Sequence, residues 1–283
     1  MTTSARPLTI VLTGATAGIG LQSALQLGAQ GHRLVLVGRN PDKLAAAAAR
    51  VLGAGATEVD TLVADFSSLD SVRALADELR RRHPVVDVLV NNAGAVHDKR
   101  RLTVDGHEST FAVNHLAGFL LTELVKDLVV AAPAGRIVLT ASTAHFPATM
   151  DFDDLGFEQG YSVMKAYGRS KLANVLYARS LAAELADTAV TVNSLHPGAV
   201  ATDIWAGAPW FARPVLAVAK LFMVSPEKGG SYITALATGA DVAGRSGEYH
   251  DQGKLKEPSE LARDVDVAAR LHEVSAQLVG VNA

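Results

Sequence analysis

The sequence of 283 residues contains no cysteine, few aromatic residues and no large excess of charge of either sign. Without cysteine there is no disulfide framework, no thiolate nucleophile and no thiolate metal site, so disulfide-rich secreted domains, cysteine hydrolases and zinc fingers are excluded. The net charge of -3 provides no basic field for a phosphate backbone. We therefore expect no nucleic-acid partner.

Long hydrophobic runs are also lacking, although the mean hydropathy of +0.20 is high for a soluble chain. A membrane-spanning helix needs about 20 consecutive apolar residues, and the longest apolar stretches, such as residues 128–134, are shorter or contain polar residues. The N-terminal residues 1–7 have no apolar core of the kind found in signal peptides. We expect no transmembrane segment and a cytoplasmic location.

Short apolar runs alternate with longer helical patterns along the chain. The runs predict strands at 8–13, 33–37, 59–64, 86–91, 136–140 and 190–195, with a short strand near 247–250. Helices are predicted near 18–30, 42–52, 68–82, 107–130, 160–187 and 225–239, with a last amphipathic stretch at 258–280. Continuously apolar strands are typical of a parallel sheet covered on both faces. The pattern predicts one α/β domain over residues 1–283, with a doubly wound, mainly parallel sheet of about seven strands.

The first predicted strand leads directly into a glycine-rich turn. Gly14, Gly18 and Gly20 have the spacing G-x-x-x-G-x-G and are followed by an apolar-periodic helix. Glycines there let the backbone approach a pyrophosphate, whose charge the helix N–H groups stabilise. A tight structural turn is the alternative. Thr16 and Ile19 belong to the same predicted cofactor-binding turn.

The second strand ends in Gly38-Arg39-Asn40. In dinucleotide-binding folds an acidic residue at this position binds the ribose hydroxyls, whereas a basic residue accommodates a 2′-phosphate. Arg39 therefore favours NADP(H) over NAD(H), with an ordinary surface arginine as the alternative. The third strand is followed by Asp65 and Phe66, where the aspartate can accept a hydrogen bond from an adenine amino group or cap the next helix.

The fourth strand ends in Asn91-Asn92-Ala93-Gly94. Small residues at the carboxyl end of a strand allow a flat ligand to lie close to the backbone. Asn91, Ala93 and Gly94 are therefore predicted cofactor contacts.

Tyr167 and Lys171 lie four residues apart in a helical pattern, so their side chains share one face. A phenol with a pKa of about 10 is a poor base near neutral pH, and we expect the adjacent ammonium to lower that pKa. Such a pair can take a proton from an alcohol or return one to a carbonyl oxygen. Tyr161 and Lys165 have the same spacing, and on a continuous helix they face another direction. Spacing alone does not choose between the two pairs.

Four motifs in this order resemble the short-chain dehydrogenase/reductase family: the glycine-rich turn, the Asn91-Asn92-Ala93-Gly94 strand end, Ser142 after the fifth strand, and Tyr167 to Lys171. The segments 170–174, 195–198 and 258–264 look more narrowly like the retinol dehydrogenase-like branch. The resemblance covers nearly the whole chain, and it selects Tyr167 in place of Tyr161.

The resemblance implies a nicotinamide-dependent oxidoreductase that needs no metal. In it Tyr167 is the general acid or base, Ser142 binds the substrate oxygen, and Lys171 holds the nicotinamide ribose and lowers the tyrosine pKa. Asn114 matches a helix asparagine that helps to place a water for proton relay, and an ordinary helical amide is the alternative. Further cofactor contacts are implied at Pro197, Gly198 and Thr202. The scattered histidines, including His115, His145 and His196, are interpreted as structural or surface residues.

Residues 199–224 form an apolar segment that contains both tryptophans. In the family this segment covers the substrate, so the resemblance implies a small apolar alcohol, aldehyde or ketone. A membrane-surface helix or a subunit contact is the alternative for this segment. Relatives commonly pair through long helices, here near 107–130 and 160–187, and we expect a homo-oligomer, either a dimer or a tetramer. The alternative function is a catalytically silent dinucleotide-sensing or scaffold protein on the same fold.

Overall fold

Continuous apolar runs form the centre of an eight-stranded sheet in the computed structural model, which describes residues 6–199 and 224–282. The strands are β1 (Thr9–Thr13), β2 (Arg33–Gly38), β3 (Glu58–Val63), β4 (Val88–Asn91), β5 (Arg136–Thr140), β6 (Thr191–His196), β7 (Tyr249–Asp251) and β8 (Lys254–Leu255). Their order is β3-β2-β1-β4-β5-β6-β7-β8, and every neighbouring pair is parallel except β7 with β8. The predicted doubly wound α/β fold is confirmed.

Helices connect the strands in chain order. They are α1 (Gly18–Ala29), α2 (Pro41–Ala54), α3 (Leu69–Arg82), α4 (Ser109–Phe111), α5 (Ala117–Val130), α6 (Val163–Glu184), α7 (Pro226–Thr238), α8 (Glu260–Arg263) and α9 (Val265–Val279). A π-helical turn, Ala112–Leu116, joins α4 to α5, and a 3₁₀ turn, Thr143–His145, follows β5. Local side chains cap the N-termini of several helices, among them α2 and α3. The Asn40 side chain accepts the Lys43 N–H at 2.9 Å, and Ser68 accepts the Ser71 N–H at 3.3 Å.

The strands are apolar along their whole length because helices bury both faces of the sheet. In β1, Ile10 and Leu12 pack with α1, α2 and α7, whereas Val11 packs with α3, α5, α6 and α9. Side chains that alternate between two buried faces require an apolar residue at every position. This packing accounts for much of the high mean hydropathy.

The C-terminal helix α9 covers the long helix α6. It packs against α6, α5 and the π-helical turn. As a result, every residue from 168 to 178 in α6 is buried within the single chain. About three turns of α6 are therefore inaccessible to solvent on every side.

Two expectations are corrected or limited by the structure. The sheet has eight strands and not about seven. The additional strand, β8, consists of only two exposed residues and pairs antiparallel with β7 at the edge of the sheet. No helix in the described ranges is long and apolar enough to cross a membrane. Most of the predicted apolar segment lies outside the described residues, which include only its ends, Ala199 and Val224.

Candidate active site

The strand order creates a crevice beyond the carboxyl ends of β1 and β4. The chain runs outward from β1 to β2 and β3 and then returns to the other side of β1, so the connections diverge between β1 and β4. Ligands of open α/β sheets bind at such a switch point. The glycine-rich turn follows β1 and the Asn92-Ala93-Gly94 segment follows β4, so the two predicted cofactor motifs meet there.

The N-terminus of α1 is prepared for an anion. Its N-cap residue, Ala17, makes no side-chain hydrogen bond, and the first turn contains no acidic residue, so the first N–H groups of the helix have no side-chain partner among residues 6–199 and 224–282. A Cβ on Gly20 would overlap the carbonyl oxygen of Gly14, and a Cβ on Gly14 would lie 2.9 Å from the Cα of Ala93. This close-packed turn with its available donors fits the pyrophosphate of a dinucleotide.

Thr13 and Asn92 hold the two strand ends together. The hydroxyl of Thr13 accepts the N–H groups of Asn92 and Ala93, each at 2.9 Å. The side-chain amide of Asn92 donates to the carbonyl of Thr13 at 2.9 Å. Sequence analysis did not single out either residue as a site residue, and their positions beside the glycines were the available signal.

The predicted contact Asn91 is part of the interior. Its side-chain amide donates to the Thr122 hydroxyl of α5 at 2.7 Å, and the side chain packs on Gly118. Its Oδ1 is buried and has no hydrogen-bond partner among the described residues. Any contact of Asn91 with a cofactor would therefore come from its backbone, whereas Gly94 is exposed.

Ser142 and Tyr167 meet between β5 and α6. The Ser142 hydroxyl accepts the Ala144 N–H at 3.2 Å, which caps the 3₁₀ turn, and it is hydrogen-bonded to the side chain of Tyr167. A Cβ on Gly168 would lie only 2.7 Å from the carbonyl oxygen of Ala144. Glycine after the tyrosine thus lets α6 approach the turn that carries the serine.

Lys171 lies one helical turn after Tyr167 and is buried. Its Nζ donates to the carbonyl of Thr140 at 3.0 Å and lies 5.7 Å from the centre of the Tyr167 ring. A Cβ on Gly94 would be 3.6 Å from the same Nζ, so the lysine also borders the crevice. Burial lowers the pKa of Lys171 to about 8. The ammonium form is the dominant one at neutral pH, and it is held at an energetic cost.

The expectation that Lys171 lowers the pKa of Tyr167 is wrong for this structure. Burial raises the pKa of Tyr167 above its ordinary value, and the hydrogen bond with Ser142 opposes that rise. Burial is the larger of the two effects on the pKa of Tyr167, because a charged phenolate would lose its hydration in the folded protein. The phenol is therefore protonated near neutral pH.

Asn114 connects the end of β4 to the helix of the tyrosine. Its Oδ1 accepts the Ala95 N–H at 2.7 Å, and its side-chain amide donates to the Ser170 hydroxyl at 3.0 Å. Ser170 in turn donates to the carbonyl of Tyr167 at 2.7 Å. Within the π-helical turn, the Asn114 carbonyl accepts the side-chain amide of Asn174 at 3.0 Å. These contacts on two elements distinguish Asn114 from an ordinary helical amide, and π-helical turns are frequent at functional sites.

The structure separates the second Tyr-Lys pair from this network. Tyr161 precedes α6, so it is not on the helix, and its hydroxyl donates to the carbonyl of His97 at 3.0 Å. Lys165 is exposed.

The predicted adenosine-binding residues differ in their surroundings. Arg39 is exposed and makes no hydrogen bond or ion pair with any residue in the described ranges. Asp65 is exposed, and its Oδ1 accepts the Ser67 N–H at 2.9 Å and the Ser67 hydroxyl at 2.8 Å. Asp65 thus closes a local turn, while Ser68 caps α3. Because the side chain of Phe66 is buried in the core, any cofactor contact there would come from its backbone.

The remaining predicted contacts lie at the ends of β1 and β6. Thr16 and Ile19 are partly exposed, and Gly18 begins α1 with a φ of 54°. Pro197 and Gly198 directly follow β6 and are buried. Thr202 lies outside the described residues.

Potential metal ligands come together on the outer side of α5. Ligand atoms of Glu123, Glu184 and His272 lie within 4.8 Å of one another. Lys126 already binds both carboxylates at 2.6 Å, and Tyr177 donates to Glu123 at 2.7 Å. We assign no metal to this group, and the absence of a metal requirement stays a prediction.

Buried His115 predicts a loss of stability in acid. Burial lowers its pKa to about 4, with a smaller contribution from His272, whereas an unfolded histidine has a pKa of about 6.5. Between these values the unfolded chain takes up a proton that the folded chain does not, so stability falls as pH decreases. This group alone costs about 3 kcal/mol by pH 4. Urea unfolding at pH 7, 5.5 and 4.5 measures the slope, which should be smaller in His115→Gln; equal slopes would contradict the assignment.

Comparisons with known proteins agree with this geometry. Residues 8–209 match the family model described as short chain dehydrogenase. "Retinol dehydrogenase 13" of Homo sapiens is 38% identical over 282 residues, which cover 97% of this chain and 85% of that protein. "Putative daunorubicin C-13 ketoreductase DnrU" of Streptomyces sp. (strain C5) is 39% identical over 278 residues, which cover 97% of this chain and 93% of that protein.

Two solved structures extend the comparison. A crystal structure of an uncharacterized protein from Mycobacterium paratuberculosis has a TM-score of 0.78 at 29% identity and covers 98% of this chain and 96% of its own. A second structure, titled as a "putative NAD(P) dependent gluconate 5-dehydrogenase" from Beutenbergia cavernae with bound NADP at low occupancy, has a TM-score of 0.71 at 28% identity. It covers 87% of this chain and 94% of its own.

Proposed function

Because this chain belongs to the short-chain dehydrogenase family, we propose that it is an NADP(H)-dependent oxidoreductase that interconverts an apolar alcohol and its aldehyde or ketone. The family and its relatives make the chain an NAD(P)-dependent dehydrogenase/reductase. The observation that carries the finer proposal is the convergence of Ser142, Tyr167 and Lys171 at the crevice bordered by Gly94. NADPH consumption with a panel of apolar carbonyl compounds tests it.

The described residues fit a nicotinamide dinucleotide. The N–H groups of α1 have no side-chain cap, the glycine-rich turn is closely packed, and Arg39 has no internal partner in the described ranges. When bound, the cofactor supplies or accepts a hydride. We propose that the other contacts are made by the turn residues and by three strand ends: Gly14, Thr16, Gly18, Ile19, Gly20, Asp65, Phe66, Asn91, Ala93, Gly94, Pro197, Gly198 and Thr202.

Tyr167 moves the proton in this proposal. Its phenol donates to the carbonyl oxygen in reduction and takes the proton back in oxidation. The hydroxyl of Ser142 hydrogen-bonds the same oxygen and stabilises the negative charge that develops there. Tyr167 is a phenol near neutral pH, so it carries the proton that reduction requires.

Lys171 and Asn114 support the tyrosine. Lys171, whose Nζ lies one helical turn from the phenol and borders the crevice beside Gly94, holds the nicotinamide ribose. Asn114 orients the helix through Ser170 and the carbonyl of Tyr167. We infer that the exposed edge beside Gly94 is where a water can enter the proton relay.

Arg39 should determine the preference for NADPH. In Arg39→Asp the Kd of NADPH should rise about 10- to 100-fold, because a charged hydrogen bond to the 2′-phosphate is replaced by repulsion. The Kd of NADH should fall, since a carboxylate at this position accepts the ribose hydroxyls. Isothermal titration with both cofactors gives the ratio.

Arg33, on the strand that Arg39 directly follows, provides a matched control. Arg33 begins β2 at the opposite end and pairs with Glu58 at 3.7 Å. Arg33→Asp should leave the ratio of the two Kd values within about twofold of the wild-type ratio. Exposed charges separated by the length of β2 are largely screened by salt. If the ratio of the NADPH and NADH Kd values is unchanged in Arg39→Asp, Arg39 is an ordinary surface arginine and does not bind the 2′-phosphate.

Apolar substrates are favoured by residues around the reacting groups. Phe146 follows the 3₁₀ turn of Ser142, Met164 lies one turn before Tyr167, and both are exposed. We propose that these exposed apolar side chains, on the two elements that carry the serine and the tyrosine, border the substrate. The names of two relatives, "Retinol dehydrogenase 13" and "Putative daunorubicin C-13 ketoreductase DnrU", agree with this substrate class. The role of residues 199–224 as a substrate cover stays a prediction.

The silent scaffold alternative is not favoured. It does not explain why a lysine is kept buried at an energetic cost next to a tyrosine and a serine. Cytoplasmic location and self-association stay predictions. The structure restricts pairing through the long helices, because α9 covers α6 over residues 168–178. Residues 168–178 of α6 are therefore not a contact surface for a dimer or tetramer.

A further inference from the structure

Two buried histidines join the C-terminal segment, residues 259–275, to the catalytic groups. The segment contains α8 and most of α9, which lies on α6 and the π-helical turn. In both His115 and His145, one ring nitrogen is hydrogen-bonded to this segment. The other ring nitrogen is hydrogen-bonded to Asn174 or to the carbonyl of Ser142, respectively.

His145 links the segment to Ser142. The Ser259 N–H donates to Nε2 of His145 at 3.2 Å, and Nδ1 lies 2.7 Å from the carbonyl oxygen of Ser142. A backbone N–H only donates and a carbonyl only accepts, so the ring carries its proton on Nδ1 and is neutral. The His145 ring is fully buried. It makes a T-shaped contact with the Tyr249 ring, and the two ring centres lie 4.8 Å apart. The serine is thereby fixed from its backbone side.

His115 links the segment to Lys171. Its Nε2 lies 2.9 Å from the Ser275 hydroxyl, and its Nδ1 lies 3.3 Å from Oδ1 of Asn174. The amide of Asn174 donates to the carbonyl of Thr140 at 3.1 Å, and Lys171 donates to the same carbonyl. The amide donors of Asn174 fix its orientation, so Oδ1 must accept from Nδ1 of His115, and Nε2 accepts from Ser275.

Both rings are placed by directional contacts as well as by packing. An apolar side chain of similar volume would fill either site but would leave the hydrogen-bond partners of the ring nitrogens unsatisfied. In each ring both nitrogens have partners, and at least one partner of each ring has a fixed donor or acceptor role that sets the tautomer. Such satisfied buried networks define one arrangement of their members.

We propose that His115 and His145 are positioning residues through which the C-terminal segment sets the geometry of Lys171 and Ser142. Neither ring donates to or accepts from the reacting atoms. The proposal rests on the proposed function in so far as Ser142 and Lys171 act in catalysis, but the linkage itself is measurable without turnover.

Ser259 allows the first linkage to be broken at one atom. Its φ of −56° is compatible with proline, so Ser259→Pro removes the N–H donor while the backbone conformation is retained. Ser259→Ala is the reference, because it keeps the N–H and loses only the hydroxyl that caps α8 through Ala262. Proline loses both, and the difference between the variants reports the bond to His145.

We expect kcat of Ser259→Pro to be about fivefold or more below that of Ser259→Ala, with the Kd of NADPH equal in the two variants. For the second linkage, Ser275→Ala should lower kcat without changing the KM of the carbonyl substrate, and Ser275→Thr, which keeps the hydroxyl, should restore it. If Ser259→Pro does not fold, the comparison of His145→Asn with His145→Leu replaces it. Asparagine keeps a donor for the Ser142 carbonyl and should have the higher kcat.

Imidazole ¹⁵N NMR at pH 7.5 separates this proposal from the proposed function. Both rings of the wild type should show the Nδ1–H form, and Ser259→Pro should change the signals of His145 but not those of His115. No turnover in the wild type would end the proposed function and leave the linkage test standing. A lower melting temperature with unchanged kcat in Ser259→Pro, equal kcat in the two His145 variants, or a His145 ring protonated on Nε2 would overturn the positioning role.

Discussion

Tyr167→Phe lowers kcat by about 10²- to 10⁴-fold, the usual contribution of a positioned general acid, while the Kd of NADPH stays near the wild-type value. Phenylalanine fills the same space beside Gly168 but has no proton to donate. The Ser142 hydroxyl still accepts the Ala144 N–H, so the turn that carries the serine is retained. Steady-state turnover and isothermal titration on the same preparation separate chemistry from binding.

Tyr161→Phe is the matched control for this result. Tyr161 is the other tyrosine with a lysine four residues later, but its hydroxyl bonds the carbonyl of His97. Its loss should cost about 1 kcal/mol of stability and little activity. Full activity in Tyr167→Phe, or a loss confined to Tyr161→Phe, would show that the wrong tyrosine has been assigned.

Lys171→Met should lower kcat/KM about 100-fold or more and yet stabilise the folded protein at pH 7. Burial lowers the pKa of Lys171 to about 8, so the unfolded chain binds the proton more tightly than the folded chain. The penalty is at most about 3 kcal/mol, and loss of the bond to Thr140 offsets about 1 kcal/mol of it. Methionine has a similar length and no charge, so we expect a net gain of about 1–2 kcal/mol.

The pH dependence of this gain gives a further check. The penalty is complete below pH 8 and disappears as the pH rises toward about 10.4, the value of an unfolded lysine. The difference in unfolding free energy between Lys171→Met and wild type should therefore shrink between pH 7 and pH 9.5. Lys165→Met changes an exposed lysine on the same helix and should shift stability by less than about 0.5 kcal/mol. A pH-independent difference, or a destabilised Lys171→Met, would contradict the assigned burial cost.

Sequence periodicity predicted the strands well because burial on both faces requires continuous apolar residues. β5 was predicted with its observed bounds, and the other central strands differ by one or two residues at their ends. β8 was missed because two exposed residues at a sheet edge carry no apolar signal. The π-helical turn was also missed, since the bond from Asn174 to the carbonyl of Asn114 that accompanies it joins residues 60 positions apart.

The predicted catalytic side chains come together, but the electrostatics of the pair could not be read from spacing. A spacing of four residues places Tyr167 and Lys171 on one face and says nothing about how deeply they are buried. Burial is a property of the packed sheet, α6 and the covering α9, and it reverses the expected direction of the tyrosine pKa shift. The sequence alone does not distinguish His115 and His145 from other structural or surface residues for the same reason, because their partners lie far along the chain in the C-terminal segment.

Transfer of deuterium from NADPH labelled at C4 of the nicotinamide tests the central claim most directly. Stereospecifically labelled cofactor is incubated with the protein and an apolar aldehyde or ketone, and the alcohol product is analysed by mass spectrometry and NMR. The account predicts one deuterium at the carbinol carbon from only one of the two C4 epimers, in wild type but not in Tyr167→Phe. Absence of labelled alcohol across the carbonyl panel, or equal labelling by wild type and Tyr167→Phe, would contradict it.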